Sequence, residues 1–503
     1  MDAKLIAAAR ATFPAGGGSI VLGAPLRGTE AHPEPLVCVP LGMLNRHGLV
    51  AGATGTGKTK TLQLIAEQLS QAGVPVFLAD LKGDLSGIAA PGEASERVST
   101  RARETGYPWQ PRACPVELLS LTGRLGAQVR ATVSSFGPLL LAKVLDLNPT
   151  QTSVLALVFK YCDDRGLELL DFADLRTVLQ HLTGPGATEL ATLGGMSKAT
   201  VGVLLRETVE LEQQGALAFF GEPELELEDL LRVTPDGKGV VSVLMLQDVQ
   251  DKPALFSTFM MWLLARLFAE LPEVGDQPLP KLVFFFDEAH LLFRDASPAF
   301  LDQVGQVVRL VRSKGVGIFF VTQNPKDVPP EILGQLGTRV QHALRAFTPD
   351  DDKALRAAAR TFPKTEFYDV EETLTTLGTG EALISALAPN GAPTQPFATR
   401  LIPPASRMGV LSELELRGLL ATPQVQKYRS TVDRESAHEK LAKQAAAEAP
   451  SESGKAARSA PARDEGVSVS DVLNSPLART VANAFTRGVL GALLGSPRRR
   501  RRY

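Results

Sequence analysis

The sequence predicts an α/β fold, a mainly parallel sheet covered by helices on both faces and broken by a helical insertion. Three observations predict it. Apolar runs of strand length alternate with helix-period segments across residues 41–402. A glycine-rich turn separates one run from a helix in "LNRHGLVAGATGTGKTKTLQLIAEQL", 44–69. The run "KLVFFFDEAHLLF", 281–293, leads straight into Asp287 and Glu288. Leu282–Phe286 suits a strand buried on both faces. Two acids at its C-terminal end sit either in solvent, as a chance pair, or against a counter-charge at the sheet edge where open α/β folds bind ligands.

The elements follow in order. Residues 1–40 are Gly- and Pro-rich, with a short strand expected at Ser19–Leu22. "HGLVAG" reads as a strand, and Leu62, Ile65, Ala66 and Leu69 fall at helical spacing before Gly73. "VPVFLADLKGD", 74–84, is a second strand entering a polar turn; Asp80, Lys82 and Asp84 there are expected to be solvated rather than to contact a metal or a neighbouring subunit. A further short strand is expected around Cys114–Thr122. Residues 137–235 change character: segments 148–166, 170–182 and 198–215 each carry helical periodicity with caps or glycine stops, which predicts a helical insertion. Strands resume at 239–249, 282–286, 315–325, 338–348 and 380–387. The expected organisation is a short N-terminal segment (1–40), a core in two parts (41–136 and 236–402) around the insertion, and a C-terminal tail (403–503).

Composition is that of an ordinary globular chain: 503 residues, 44% hydrophobic and 21% charged, with a net charge of −2. The charge is uneven. From Arg407 onward 17 Lys and Arg face 10 Asp and Glu, so a basic end trails an acidic body. Cys38, Cys114 and Cys162 form neither a disulfide framework nor a metal motif, which suits a reducing compartment. Met1–Leu5 holds an acid and a lysine with no apolar leader run after it, and Leu255–Leu271 is interrupted by Arg266, so a cytoplasmic location is expected. In the tail, Arg479, Asn483 and Arg487 share one helix face, Phe485, Val489 and Leu493 the other, and Arg498–Arg502 follow. That pattern fits a membrane-surface segment, a nucleic-acid tether or a solvated end.

The chemistry lies in the glycine turn. Gly52, Ala53, Thr54, Gly55, Thr56, Gly57, Lys58 and Thr59 satisfy the phosphate-loop pattern, which is specific when strand and helix flank it. Glycines let successive backbone N–H groups turn inward around phosphate oxygens, where a Cβ would block approach. Lys58 is placed for the β- and γ-phosphates, the Thr59 hydroxyl for Mg²⁺, and the helix N-terminus adds its partial positive charge. The acidic pair then acquires a role: Asp287 beside the metal and Glu288 as general base toward the attacking water.

With the loop, the "FFFDEAH" strand and "GVGIFFVTQNP" together, the chain resembles the HerA-FtsK superfamily over about residues 15–405, and most of all its bacterial YjgR-like branch. The resemblance implies a RecA-like P-loop NTPase core, ATP and Mg²⁺ as cofactors, self-association into a ring, commonly a hexamer, and DNA as the partner. It also implies that Gln323 is the polar sensor of the γ-phosphate, and that Arg46 and Arg312 stand where related motors carry nucleotide-sensing or trans-acting arginines. The expected function is ATP hydrolysis coupled to DNA translocation or remodelling; the alternative is an ATPase switch or scaffold acting on a protein or membrane-associated assembly. The helicase class named after the tetrapeptide "DEAH" does not fit, because about 230 residues separate loop and acids here and no second phosphate loop follows.

Overall fold

The computed structural model describes residues 2–13, 18–191, 195–294, 296, 298–388, 390–432 and 434–448. Among these, thirteen strands form one sheet: β1 (Ser19–Arg27), β2 (Glu30–Ala31), β3 (Val37–Pro40), β4 (Gly48–Ala51), β5 (Val76–Asp80), β6 (Val116–Ser120), β7 (Ala127–Gln128), β8 (Val241–Met245), β9 (Leu282–Phe286), β10 (Val316–Thr322), β11 (Thr338–Gln341), β12 (Glu381–Ser385) and β13 (Phe397–Leu401). Their order is β2-β1-β13-β12-β11-β4-β10-β9-β5-β8-β6-β7, with β3 also on β1. From β11 to β7 every pairing is parallel, and from β11 through β12 and β13 to β1 every pairing is antiparallel. The expected α/β fold with a mainly parallel sheet is what the chain forms.

β10 lies between the strand that enters the glycine turn and the strand that ends in the acids. Thr322 pairs with Ala51 on one side, and Phe320 with Phe286 on the other. Strong burial explains why these strands are so apolar: β4, β5, β8, β9 and β10 are buried at every position. Alternation divides their side chains between two cores. Phe284, Phe286, Ile318 and Phe320 face one, and Phe285, Phe319 and Val321 the other. Each such phenylalanine contributes about 2 kcal/mol by leaving water.

The second core is closed by Leu62, Ile65, Ala66 and Leu69 of the Lys58–Gln71 helix, together with Leu5 and Ala9 of the N-terminal helix. The first is closed by the Pro253–Glu270 helix and by the insertion, whose Leu155, Val158, Leu175, Leu179 and Leu204 join the same cluster as Phe284. All three insertion helices expected from periodicity are present, at Pro149–Arg165, Phe172–Thr183 and Lys198–Gln213. A fourth, Val133–Val144, is kinked at Gly137 (φ 67°) before Pro138.

Neither boundary expected at 41 or at 403 coincides with a gap in packing. β1 and β3 are part of the sheet, and residues as far as Ala445 belong to one compact unit, with Tyr428, Ala437 and Leu441 in its core. The tail pattern of Arg479–Leu493 and Arg498–Arg502 lies outside the described residues. Among the described residues no helix is long and apolar enough to cross a membrane.

Candidate functional site

The glycine turn folds between β4 and the Lys58–Gln71 helix. Its amides are tied to β10 and to the segment after β11: Gly52 N–H donates to Thr322 O at 3.2 Å and Ala53 N–H to Ala343 O at 2.8 Å. Glycine is needed at two points. Gly52 has φ 154°, and a Cβ there would lie 2.5 Å from the Cβ of His342. Gly57 has φ 113° and opens the helix in a left-handed conformation that other residues avoid. The first helical N–H groups are thereby presented to the cavity, a ready anion site.

His342 is the floor of the turn. It is fully buried, its Nε2 lies 2.8 Å from Thr61 Oγ1, and burial, reinforced by the Lys58 ammonium, holds its imidazole down to about 4. A neutral ring beneath a cationic loop avoids adding a repelling charge. Lys58, largely buried, donates from Nζ to Ala53 O at 3.1 Å and so spans the turn that phosphates would fill. Burial holds its ammonium below the usual lysine value, against the pull of the Glu288 and Asp287 carboxylates. Those opposing charges place loop and acids in electrostatic contact.

Asp287 is half-buried and Glu288 buried. Burial, with the charges of Glu288, Asp84 and Asp80, pushes the Asp287 carboxyl up to about 7. A carboxylate in that position gains strongly from a cation. Burial would also raise Glu288, but ion pairing to Lys82, the charge of His290 and a hydrogen bond from Gln323 outweigh it and hold the carboxyl below its ordinary value. Glu288 is also held in a left-handed backbone conformation, φ 50°, which costs about 1 kcal/mol or more in a non-glycine residue and is typical of functional sites. Its second oxygen, Oε2, is buried with His290 Nδ1 3.2 Å away, outside hydrogen-bonding geometry.

The turn after β5 corrects the sequence reading. Asp80 is fully buried and accepts from Gly83 N–H (2.7 Å) and Leu85 N–H (3.0 Å), which shapes the turn and aims Lys82 at Glu288. Burial pushes this carboxyl up to about 6. The Asp84 Oδ1 atom is buried without a protein partner. Of the three charged residues Asp80 is buried and Lys82 stays exposed, while Lys82 and Asp84 border the cavity.

These groups line one cavity of about 640 Å³. Lys82, Asp84 and Glu288 stand with Thr54, Gly55, Gly57, Lys58 and Thr59, while Lys60, Thr61 and Leu64 continue along the helix. Asp287 lies close enough for its charge to act on both Lys58 and Lys60. The donor set fits magnesium. Hydroxyl and carboxylate oxygens from Thr59 and Asp287 are hard ligands, and an orphaned carboxylate oxygen lies nearby on Asp84. Among the described residues no group of three His, Cys, Asp or Glu could hold a metal alone.

Gln323 follows β10 and is exposed beside Glu288. Arg46 and Arg312 are elsewhere. Both precede strands, β4 and β10, whose opposite ends carry the glycine turn and Gln323, so they lie at the other edge of the parallel sheet. With Arg309 and Arg339 they line a separate cavity of about 390 Å³. Arg46 Nη2 and Arg312 Nη2 share the exposed Asp276, at 3.7 and 3.6 Å.

The fold and the site define a class, a RecA-like phosphate-loop fold with one strand inserted between loop strand and acidic strand. Within it, the chain belongs to the helicase HerA-like C-terminal family, whose model matches residues 26–502. The "Probable DNA double-strand break repair helicase HerA" of Methanocaldococcus jannaschii is 30% identical over 109 residues, 21% of this chain and 20% of that one. The "DNA double-strand break repair helicase HerA" of Sulfurisphaera tokodaii is 32% identical over 99 residues, 20% and 19% of the respective chains. The matched segments thus span about a fifth of these relatives. The solved bacterial conjugative coupling protein TrwB shares the fold, with a TM-score of 0.52 at 15% identity over 80% of this chain and 94% of that one.

Proposed function

We propose that this chain is a magnesium-dependent ATPase that works as a subunit of a ring, commonly of six, and couples turnover to moving or remodelling DNA. The observation that carries the reading is the single cavity in which Lys58, Thr59 and Glu288 converge, with Asp287 in electrostatic contact.

The residues act as follows. Lys58 exchanges Ala53 O for phosphate oxygens, and the turn's amides bind the rest of the triphosphate. Thr59 and Asp287 would hold magnesium, which would neutralise phosphate charge. Glu288 orients a water and takes its proton, which requires the Lys82 ammonium to move from the carboxylate. Gln323, beside Glu288, senses whether the γ-phosphate is present. Arg46 and Arg312 lie at the sheet edge opposite the loop and so serve the nucleotide of an adjacent subunit; head-to-tail contacts of that kind close into rings. DNA as partner rests on family membership and on the relatives' names.

Phosphate release measured with and without duplex DNA over a salt series tests the coupling. The expected result is DNA stimulation that falls steeply as salt rises. An identical rate with and without DNA at every salt concentration would reject it.

A further inference from the structure

The cavity of about 640 Å³ that takes in the glycine turn has apolar as well as charged lining. Apart from the loop and the acids, its lining includes the apolar residues Leu64, Val98, Ile402, Pro403, Pro404 and Met408. Four of these, Ile402, Pro403, Pro404 and Met408, belong to no helix or strand. Met408 is 42% exposed, a large thioether left at a cavity wall, and Pro404 sits in a strap that follows β13.

That strap is firmly built. The buried Glu67 carboxylate accepts from Ala405 N–H (2.7 Å), Ser406 N–H (2.9 Å) and Ser406 Oγ (2.6 Å). One helical turn earlier, Gln63 Nε2 donates to Ser406 Oγ (2.7 Å) and Arg407 O (2.9 Å). Trp109 Nε1 donates to Pro404 O (2.8 Å). Glu67 and Gln63 lie on the helix whose first residues are Lys58 and Thr59, so the strap is fixed in register with the phosphate end. Across the cavity, the Glu96–Thr105 helix offers Val98 with Arg97 and Arg101. Arg101 is anchored by donating to Thr379 O (3.0 Å).

We propose that the slot between the Ile402–Met408 strap and the Glu96–Thr105 helix holds the purine base of the nucleotide. The proposal rests on the nucleotide reading above and adds the base-binding residues to it. An aromatic base slides between apolar walls, the Met408 thioether makes a favourable sulfur–aromatic contact, and Arg97 offers its guanidinium to the base. Glu67 is a positioning residue: it touches no base but sets the strap.

The test compares two probes by calorimetry with Mg²⁺ present: ATP, and inorganic tripolyphosphate, which has no base. In Met408→Ala the expected result is ATP binding weaker by about fivefold with tripolyphosphate binding unchanged; Met408 is exposed, so the fold survives the change. Photolabelling of the unaltered protein with 8-azido-ATP is expected to mark residues 97–101 or 402–408. Equal weakening of both probes, no weakening of either, or a label outside these segments would overturn the assignment. Binding of tripolyphosphate with no preference for ATP would sink the base slot and leave the phosphate site standing. Failure of the unaltered protein to bind either probe would sink the nucleotide reading itself.

Discussion

Glu288→Gln is expected to lower ATP turnover by about a thousandfold while leaving nucleotide affinity near that of the unaltered chain. The amide keeps the size of the carboxylate and its place beside Lys82, so the cavity keeps its shape. What it loses is the capacity to take a proton. The Lys82 pairing that holds Glu288 below its ordinary carboxyl value keeps it ionised while the pair is closed, and the carboxylate becomes a base once Lys82 moves away. Rapid-quench turnover paired with equilibrium binding of labelled ATP checks both halves. A variant that still turns over within a factor of ten of the original would remove Glu288 from the chemistry.

Arg312→Ala is expected to reduce turnover by about three orders of magnitude without weakening binding at the subunit's own loop, the usual size of effect for an arginine delivered in trans. The structural reason is distance within the fold. Arg312 precedes β10 while the glycine turn follows β4 at the far end of the same parallel pairing. Its partner, Asp276, is 73% exposed at 3.6 Å, and such a surface pair is worth less than about 1 kcal/mol, so the arginine is readily released. Mixing Arg312→Ala subunits with Lys58→Ala subunits would then restore part of the activity, because one supplies an intact loop and the other an intact arginine. The same experiment with Arg46→Ala separates the two candidates. Mixtures with no activity at any ratio would reject a trans role for both.

The sequence carried the sheet and the phosphate end of the site because both are local. β4, β5, β8, β9 and β10 are short apolar runs with punctuation at each end, and the loop's residues are contiguous, 52–59. What it concealed depends on contacts between distant residues. β13 is only five residues long and carries Arg400 near its end, half-buried against Glu381 and Glu104, which weakens its strand pattern. The Val133–Val144 helix lost its period at Gly137–Pro138. The turn at 80–84 was read as solvated from its polar composition, yet Asp80 is fully buried because its two oxygens accept backbone N–H groups from the turn itself. One signal was available there: an acid followed at once by Leu-Lys-Gly-Asp at the end of an apolar strand repeats the pattern at Asp287, and two neighbouring parallel strands ending in charge converge on one edge. The strap at 402–408 gave no signal, since its place is fixed by Glu67, more than 300 residues earlier.

Everything proposed for the chemistry depends on the loop and the acidic strand serving one metal–nucleotide complex. A double-mutant cycle on the Mg²⁺ enhancement of ATP affinity measures this, using Thr59→Val and Asp287→Asn alone and together. It is best done near pH 8, because burial and the Glu288 charge push the Asp287 carboxyl up to about 7 and protons would compete with the cation below that. Either substitution is expected to remove most of the enhancement and the second to add little, since ligands of one ion are strongly coupled. Full additivity of the two losses would mean that Thr59 and Asp287 act at separate places, and would contradict a shared ion.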